Sequence, residues 1–307
     1  MTVLDIEDLS QVIPNAIVTS GTFDGVHVGH QKILKDISDQ ARETKGKSVV
    51  LTFWPHPRFV IKNKNGLKLL STFDEKAEVI ENMGVDYLVK IKFTKEFSEL
   101  DSDEYIRSIL IDKLGCKKLV IGYDHRFGKN REGGFDYLIE NQNKFGFEVQ
   151  EIPRQDIDNI GVSSTKIRNA LSEGNVHIAH QYLGRPYEIS GRVEHGNKIG
   201  SEIGFPTANI SVDEEYKLIP KNGVYAVLIK VKEEIYEGMM NIGLRPTVDG
   251  DTKKMEVNIF DFSAEIYQEK ISVQFISFIR DEHKFDNIGL LKQQLSRDKI
   301  EAKKNLS

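Results

Sequence analysis

Cysteine is almost absent from the 307-residue chain: Cys116 stands alone. No internal disulfide can form, which agrees with a reducing, cytoplasmic setting and reads Cys116 as a small buried residue beside an apolar run. No run of 18 apolar residues occurs, so no segment reads as a membrane span. The stretch from Met1 to Asp8 lacks the basic and apolar regions of a secretory signal. An excess of cations is also missing. Lys and Arg number 42 against 47 Asp and Glu, 24 against 27 up to His180 and 18 against 20 beyond it. Neither part is the basic patch that long nucleic acid requires, whereas a small anion needs only a few well-placed donors. No two glycines lie two apart, which removes the G-x-G-x-x-G dinucleotide fingerprint. Gly122 to Lys129 approaches a Walker loop but is one residue too long, and Asn130 stands where Ser or Thr is needed. What remains, 29% charged and 39% apolar residues, is an ordinary globular composition, long enough for two domains.

Two kinds of hydrophobic pattern divide the chain. In the first half, Ala16–Ser20, Ser48–Phe53, Asp86–Ile91, Lys117–Gly122 and Phe147–Ile152 read as strands. Between them, 30–43, 74–83, 102–114 and 135–145 carry apolar residues at helical spacing, as in Ile33, Leu34, Ile37 and Ala41. Alternating strand and helix predicts a parallel, Rossmann-like sheet with its ligand beyond the strands' C-terminal ends. Past about residue 186 the runs 187–193, 224–231, 235–241, 255–260 and 271–279 alternate, with turn residues in the gaps. They predict an antiparallel sheet or small barrel, with a C-terminal helix over 288–306. The segment 163–183 reads as helical and links the halves, and the expected domains are 1–182 and 183–307.

The first strand runs into Gly21-Thr22-Phe23-Asp24-Gly25-Val26-His27-Val28-Gly29-His30 and then a helix. Glycines after a strand let a phosphate approach main-chain N–H groups at a helix start. His27 and His30, three apart, can share one side. Two His and Asp24 are also plausible metal ligands; the positive end of the helix dipole favours an anion over a cation there. The plainest alternative is two surface histidines.

This stretch resembles the H-x-G-H signature of the nucleotidyltransferase superfamily. More specifically, the chain resembles the bacterial bifunctional riboflavin kinase/FMN adenylyltransferase family. Along with 21–30, the likeness rests on Thr52-Phe53-Trp54-Pro55-His56-Pro57, Gly122-Tyr123-Asp124-His125-Arg126-Phe127-Gly128 and Val162-Ser163-Ser164-Thr165-Lys166-Ile167-Arg168, in that order. The resemblance implies attack of an FMN phosphate oxygen on the α-phosphate of ATP, with pyrophosphate leaving. It makes His27 and His30 donors to the ATP phosphates. It places nucleotide against Gly21, Thr22, Phe23, Asp24, Gly25, Asp124, Ser163, Ser164, Thr165 and Arg168, and flavin against Pro55, His56, Pro57 and Phe59. Read without the family, 163–168 is also an ordinary helix cap, and 55–59 ordinary loop packing. His125 departs from the family's usual Phe.

In the second half, Pro206-Thr207-Ala208-Asn209 sets a hydroxyl and an amide oxygen two residues apart, on one side of an extended chain. Taken alone it reads as a turn into a strand. The resemblance makes Thr207 and Asn209 the ATP–Mg²⁺ ligands of a riboflavin kinase. It also makes Glu256, which interrupts an apolar strand, the acceptor of the riboflavin 5′-hydroxyl proton. Without the family, Glu256 is a carboxylate on a polar face. Arg280 either touches the flavin or braces the helix. Ser201 and Asn258 stand where the family commonly has Arg and His, so the kinase is the module more exposed to loss. The expected ligands are therefore riboflavin, FMN, FAD, ATP and Mg²⁺, without nucleic acid or membrane, and the oligomeric state stays open. The alternatives are the same fold with one module silent, a different nucleotidyl transferase or synthetase relative, and a flavin-binding regulator without catalysis.

Overall fold

The Val- and Ile-rich runs of the first half form parallel strands β2 (Ala16–Ser20), β3 (Lys47–Trp54), β4 (Tyr87–Lys92), β5 (Cys116–Gly122) and β6 (Glu148–Ile152), and β1 (Thr2–Asp5) adds an edge strand the pattern did not announce. All six join one sheet in the order β1-β4-β3-β2-β5-β6. The computed structural model describes residues 1–61, 66–123, 125–153, 161–195, 200, 203–247 and 250–307, the backbone alone for 245–247 and 250–252. Two compact units emerge, Met1–Val162 and Ser163–Ser307.

Strand β2 is buried along its whole length because both sheet faces are covered. On one face Ile17, Val50, Leu88 and Val120 meet Ile33, Leu34, Ile37 and Ala41 of α1 (Val28–Glu43). On the other, Val18, Leu51, Val89 and Ile121 meet Tyr105, Ile106, Leu110 and Leu138. Short α2 (Pro57–Ile61) follows β3, and α3 (Phe73–Asn82) opens with a capping box. There Thr72 Oγ1 accepts from the Glu75 N–H at 3.2 Å, and the Glu75 carboxylate accepts from the Thr72 N–H at 2.9 Å. Past α4 (Lys95–Ser98), the stretch expected as one helix over 102–114 begins as α5 (Ser102–Tyr105) and continues, π-helical, through Ile106–Lys113. Helix α6 (Phe135–Phe145) completes the layer. The chain winds from β2 through β3 to β4, then returns to lay β5 on the other side of β2. Loops leaving the C-terminal ends of β2, β3 and β5 therefore meet at a topological switch point, where such sheets bind ligands.

In the second unit, α7 (Ser164–Glu173) and α8 (Val176–Leu183) pack with the strands that follow: the Lys221 N–H donates to the Leu171 carbonyl at 2.9 Å, and α8 lies on β7 (Tyr187–Glu194) and β12 (Lys270–Arg280). The antiparallel pattern closes into a barrel, β10-β11-β8-β7-β12-β9, completed by β8 (Ala208–Ser211), β9 (Gly223–Val231), β10 (Glu234–Thr247) and β11 (Gly250–Ile259). Its interior is filled by residues such as Ile189, Tyr225, Val227, Met240, Val257, Val273 and Phe275. Helix α9 (Ile288–Leu306) covers β9, β10 and β12, laying Leu295, Ala302 and Leu306 against Ala226, Met239 and Phe260.

Candidate functional sites

The turn after β2 is strained and heavily tied. Phe23, Gly25 and Val26 all have positive φ, 49°, 82° and 40°, a region that costs most for bulky and β-branched residues. The Asp24 carboxylate, 4% exposed, accepts from the N–H groups of Leu70 at 2.8 Å and Ser71 at 3.3 Å. The Gly25 N–H donates to Ser71 Oγ at 3.1 Å. Such over-determination is what holds strained backbone in place. It delivers the two histidines to the start of α1. His27 is its N-cap, its Nδ1 accepting from the His30 N–H at 3.3 Å, and the two rings stack with centroids 3.6 Å apart. His30 Nδ1 is buried and has no hydrogen-bond partner among the described residues. Burial holds the His30 pKa well below the ordinary value, and the charges of His27 and Lys76 add to the effect. A neutral imidazole with an unsatisfied buried nitrogen at a helix N-terminus suits a phosphate oxygen. The metal alternative fits poorly, because Asp24 is turned toward backbone donors. Among the described residues no group of three His, Cys, Asp or Glu is placed to hold an ion.

Beside this turn Thr22, Asp24, Trp54, His56, Ser71 and Lys76 line a small pocket. Thr22, Asp24 and His56 among them are residues the sequence analysis singled out, and His56 is 8% exposed with its ring 5.9 Å from that of Phe59. His56 Nδ1 accepts from the Arg58 N–H at 3.1 Å. Pro55 is exposed, while Pro57 and Phe59 are half-buried at the start of α2. Gly21 is tied back to β3, its N–H donating to the Leu51 carbonyl at 3.0 Å. Asp124 lies outside the described residues, as does Ser201. His125 is described: burial, then Arg131 and Arg126, push its pKa down to about 4, and its ring sits 5.8 Å from that of Phe127. Ser163 caps α7, its Oγ accepting from the Lys166 N–H at 3.3 Å. Ser164 and Arg168 are half-buried and Thr165 exposed on the first turns of that helix.

The barrel carries a cavity of about 300 Å³. Thr207, Glu256 and Arg280 line it, with Asn241, Lys254 and Asn258, and with Phe205, Met239, Met240, Phe285 and Leu295 as an apolar wall. Glu256 on β11 lies directly across from Asn209 on β8 and from Asn241 on β10. The expected metal ligands and the expected base therefore come together. Gly200 packs at this spot: a side chain there would strike the Phe205 carbonyl and come within 3.4 Å of Thr207 Oγ1. Neutral oxygen donors at an uncrowded cavity wall fit a hard divalent cation that takes its remaining ligands from phosphate and water.

Three side chains have partners that the motifs alone do not show. Lys254 Nζ donates to Glu256 Oε1 at 2.7 Å; two residues apart on one strand, both face the cavity, a spacing that was visible in the sequence. Asn258, 6% exposed, donates from Nδ2 to the Pro206 carbonyl at 2.6 Å, and so ties β11 to the start of the Pro206–Asn209 segment. Arg280 grips the carboxylate of Asp298, which is 1% exposed, with Nε at 2.9 and 3.1 Å and Nη2 at 2.7 Å. It braces α9 and faces the cavity at once.

Comparison with known proteins gives the chain's family. A family model described as FAD synthetase matches residues 9–166, and one described as riboflavin kinase matches 183–306. Two relatives, each named bifunctional riboflavin kinase/FMN adenylyltransferase, run almost the full length. That of Buchnera aphidicola subsp. Schizaphis graminum is 40% identical over 297 residues, 95% of each chain. That of Haemophilus influenzae is 39% identical over 299 residues, 97% of this chain and 96% of the other. Among solved structures, one described as a macrolide-efflux protein from Streptococcus pneumoniae superposes with a TM-score of 0.89 at 31% identity, covering 99% of both chains. In this chain, no helix among the described residues is long and apolar enough to cross a membrane. With both models matched in order and relatives of two-fifths identity from end to end, the chain belongs to the bifunctional riboflavin kinase/FMN adenylyltransferase family.

Proposed function

We propose that the chain makes FMN from riboflavin and ATP in its barrel and FAD from FMN and ATP in its N-terminal half, with catalytic modules 1–182 and 183–307. The carrying observation is that each half builds its own constellation: a strained, glycine-containing turn with His27 and His30 at its end, and a barrel cavity lined by Thr207 and Glu256, with Asn209 the strand partner of Glu256.

In the first module an FMN phosphate oxygen attacks the α-phosphorus of ATP and the bond to the pyrophosphate oxygen breaks. His27 and His30 donate to phosphate oxygens as charge gathers on the leaving group, the electrostatic work such transfers need. Gly21–Gly25 let the phosphates approach the backbone, and the family resemblance adds Asp124, Ser163, Ser164, Thr165 and Arg168 as nucleotide-binding residues. Pro55, His56, Pro57 and Phe59 face the flavin. In the second module Glu256 takes the proton of the riboflavin 5′-hydroxyl as that oxygen attacks the γ-phosphorus and ADP leaves. One carboxylate oxygen is held by Lys254, which orients the base. Thr207 and Asn209 would hold Mg²⁺, which when bound would neutralise phosphate charge. Arg280, fixed by Asp298, borders the flavin. The bond from Asn258 to the Pro206 carbonyl supports a working kinase over a silenced one, because it keeps the metal-binding segment in place without the family's His.

The two half-reactions test this separately. Riboflavin with ATP and Mg²⁺ should give FMN and ADP, and supplied FMN with ATP should give FAD and pyrophosphate. In the first assay Thr207→Ala and Asn209→Ala should each raise the Mg²⁺–ATP concentration needed for half-maximal rate, since a phosphate clamp loses a ligand. An unchanged ATP dependence in both variants would remove these residues from the nucleotide site.

A further inference from the structure

Lys76 is a charged side chain, yet it is 3% exposed. A buried ammonium is costly unless its hydrogens find acceptors, and an apolar side chain of similar volume would often fill the space at no loss of stability. Its acceptors are specific. Nζ donates to the Thr22 carbonyl at 3.2 Å and to Thr52 Oγ1 at 2.9 Å, with the rings of Phe73 and Trp54 at 5.4 and 5.7 Å. Desolvation pushes its pKa down to about 8, while the charge of Asp24 pulls it upward.

These contacts tie three elements together. Lys76 stands on the first turn of α3, Thr52 near the end of β3, and Thr22 at the head of the strained turn. The same segment before α3 also holds Asp24 and Gly25 through Leu70 and Ser71. The turn between Gly21 and His27 is thus pinned at several points from one side, and Lys76 is the pin nearest its beginning. We propose that Lys76 is a positioning residue for adenylyl transfer: its ammonium fixes the Thr22 carbonyl against Thr52 and holds the turn in the shape that presents His27 and His30 to the nucleotide phosphates. The proposal rests on the reading of the two histidines as phosphate donors.

A misplacement of about 1 Å in such groups costs about 10²-fold in rate, and the loss falls on kcat when the nucleotide itself is still bound. Lys76→Met keeps the unbranched shape and drops the donors. In the full-length protein it should lower kcat for FAD formation from supplied FMN by about 10–100-fold, with the KM for ATP nearly unchanged. FMN formation, measured on the same preparation, should stay at the wild-type rate. Amide hydrogen exchange should quicken over 21–27 and stay unchanged in strands β4 and β5. Thr52→Val, isosteric and suited to a strand, loosens the same pin from the other side. It should give a smaller loss of the same kind, and it carries the test if the methionine variant does not fold. His30→Ala, run in parallel, separates the two readings: if it leaves FAD formation intact, the histidine assignment falls. If His30→Ala is impaired while the folded Lys76 or Thr52 variant keeps wild-type kcat and exchange, the proposal is overturned. A raised KM for ATP at unchanged kcat overturns it too, since Lys76 would then act on the nucleotide directly.

Discussion

Glu256→Gln should slow the formation of FMN from riboflavin by about 10²–10⁴-fold, the range spanned by general-base groups, and leave the conversion of supplied FMN to FAD untouched. Glutamine keeps the shape of the side chain but is a very poor proton acceptor. The carboxylate stands on the cavity wall between Asn209 and Asn241, one oxygen held by Lys254. The fold is not at stake, because a partly exposed ion pair of this kind contributes little to stability. The lower end of the range is favoured where the transition state for phosphoryl transfer is loose and proton removal comes late. Product chromatography with riboflavin and with FMN as alternative substrates checks both halves of the statement. Loss of FMN-to-FAD activity in a variant that stays folded by circular dichroism would contradict separate sites.

The second large effect belongs to the histidines. His30→Ala should reduce FAD formation by about 10²–10³-fold, as removal of a single preorganised donor does elsewhere, while riboflavin phosphorylation persists. Its ring is stacked on His27, and a buried nitrogen lacks a partner among the described residues. Such an atom gains most when a phosphate oxygen arrives. His27→Ala should lose activity as well, but it also removes the N-cap of α1, a change worth about 1 kcal/mol of stability, so His30→Ala is the cleaner experiment. Measured rates of the two half-reactions decide: equal loss of both would mean that the histidines hold the fold.

The elements that local periodicity encodes were legible. Five of the parallel strands, helices α1, α3 and α6, and the C-terminal helix follow from where apolar residues recur. Strand β1 was not, because Thr2–Asp5 is a short edge strand with half its residues exposed, paired to a strand 85 residues away. Closure of the barrel was only one of two options, since it depends on β7 finding both β8 and β12. At the sites, the motifs pointed to particular turns, but burial and long-range partners are not written in a motif. Lys76, three residues after Phe73 and four before Ile80, lies on the buried face of its helix, but the acceptors of its charge, Thr22 and Thr52, are brought near only by the fold. Asn258 reads as a loss until its bond to the Pro206 carbonyl is seen. Arg280 was left between two roles, and Asp298 shows that it serves the helix while facing the cavity.

The central claim is that one chain holds two catalytic sites joined only by FMN as a diffusing product. It is tested most directly by mixing the Glu256→Gln and His30→Ala proteins with riboflavin, ATP and Mg²⁺ and following FAD by chromatography. Each protein alone should form almost no FAD from riboflavin, the first for want of FMN and the second for want of adenylyl transfer. Together they should form it readily, because the second supplies the FMN that the first adenylates. A mixture of two folded proteins that makes no more FAD than either alone would contradict the account.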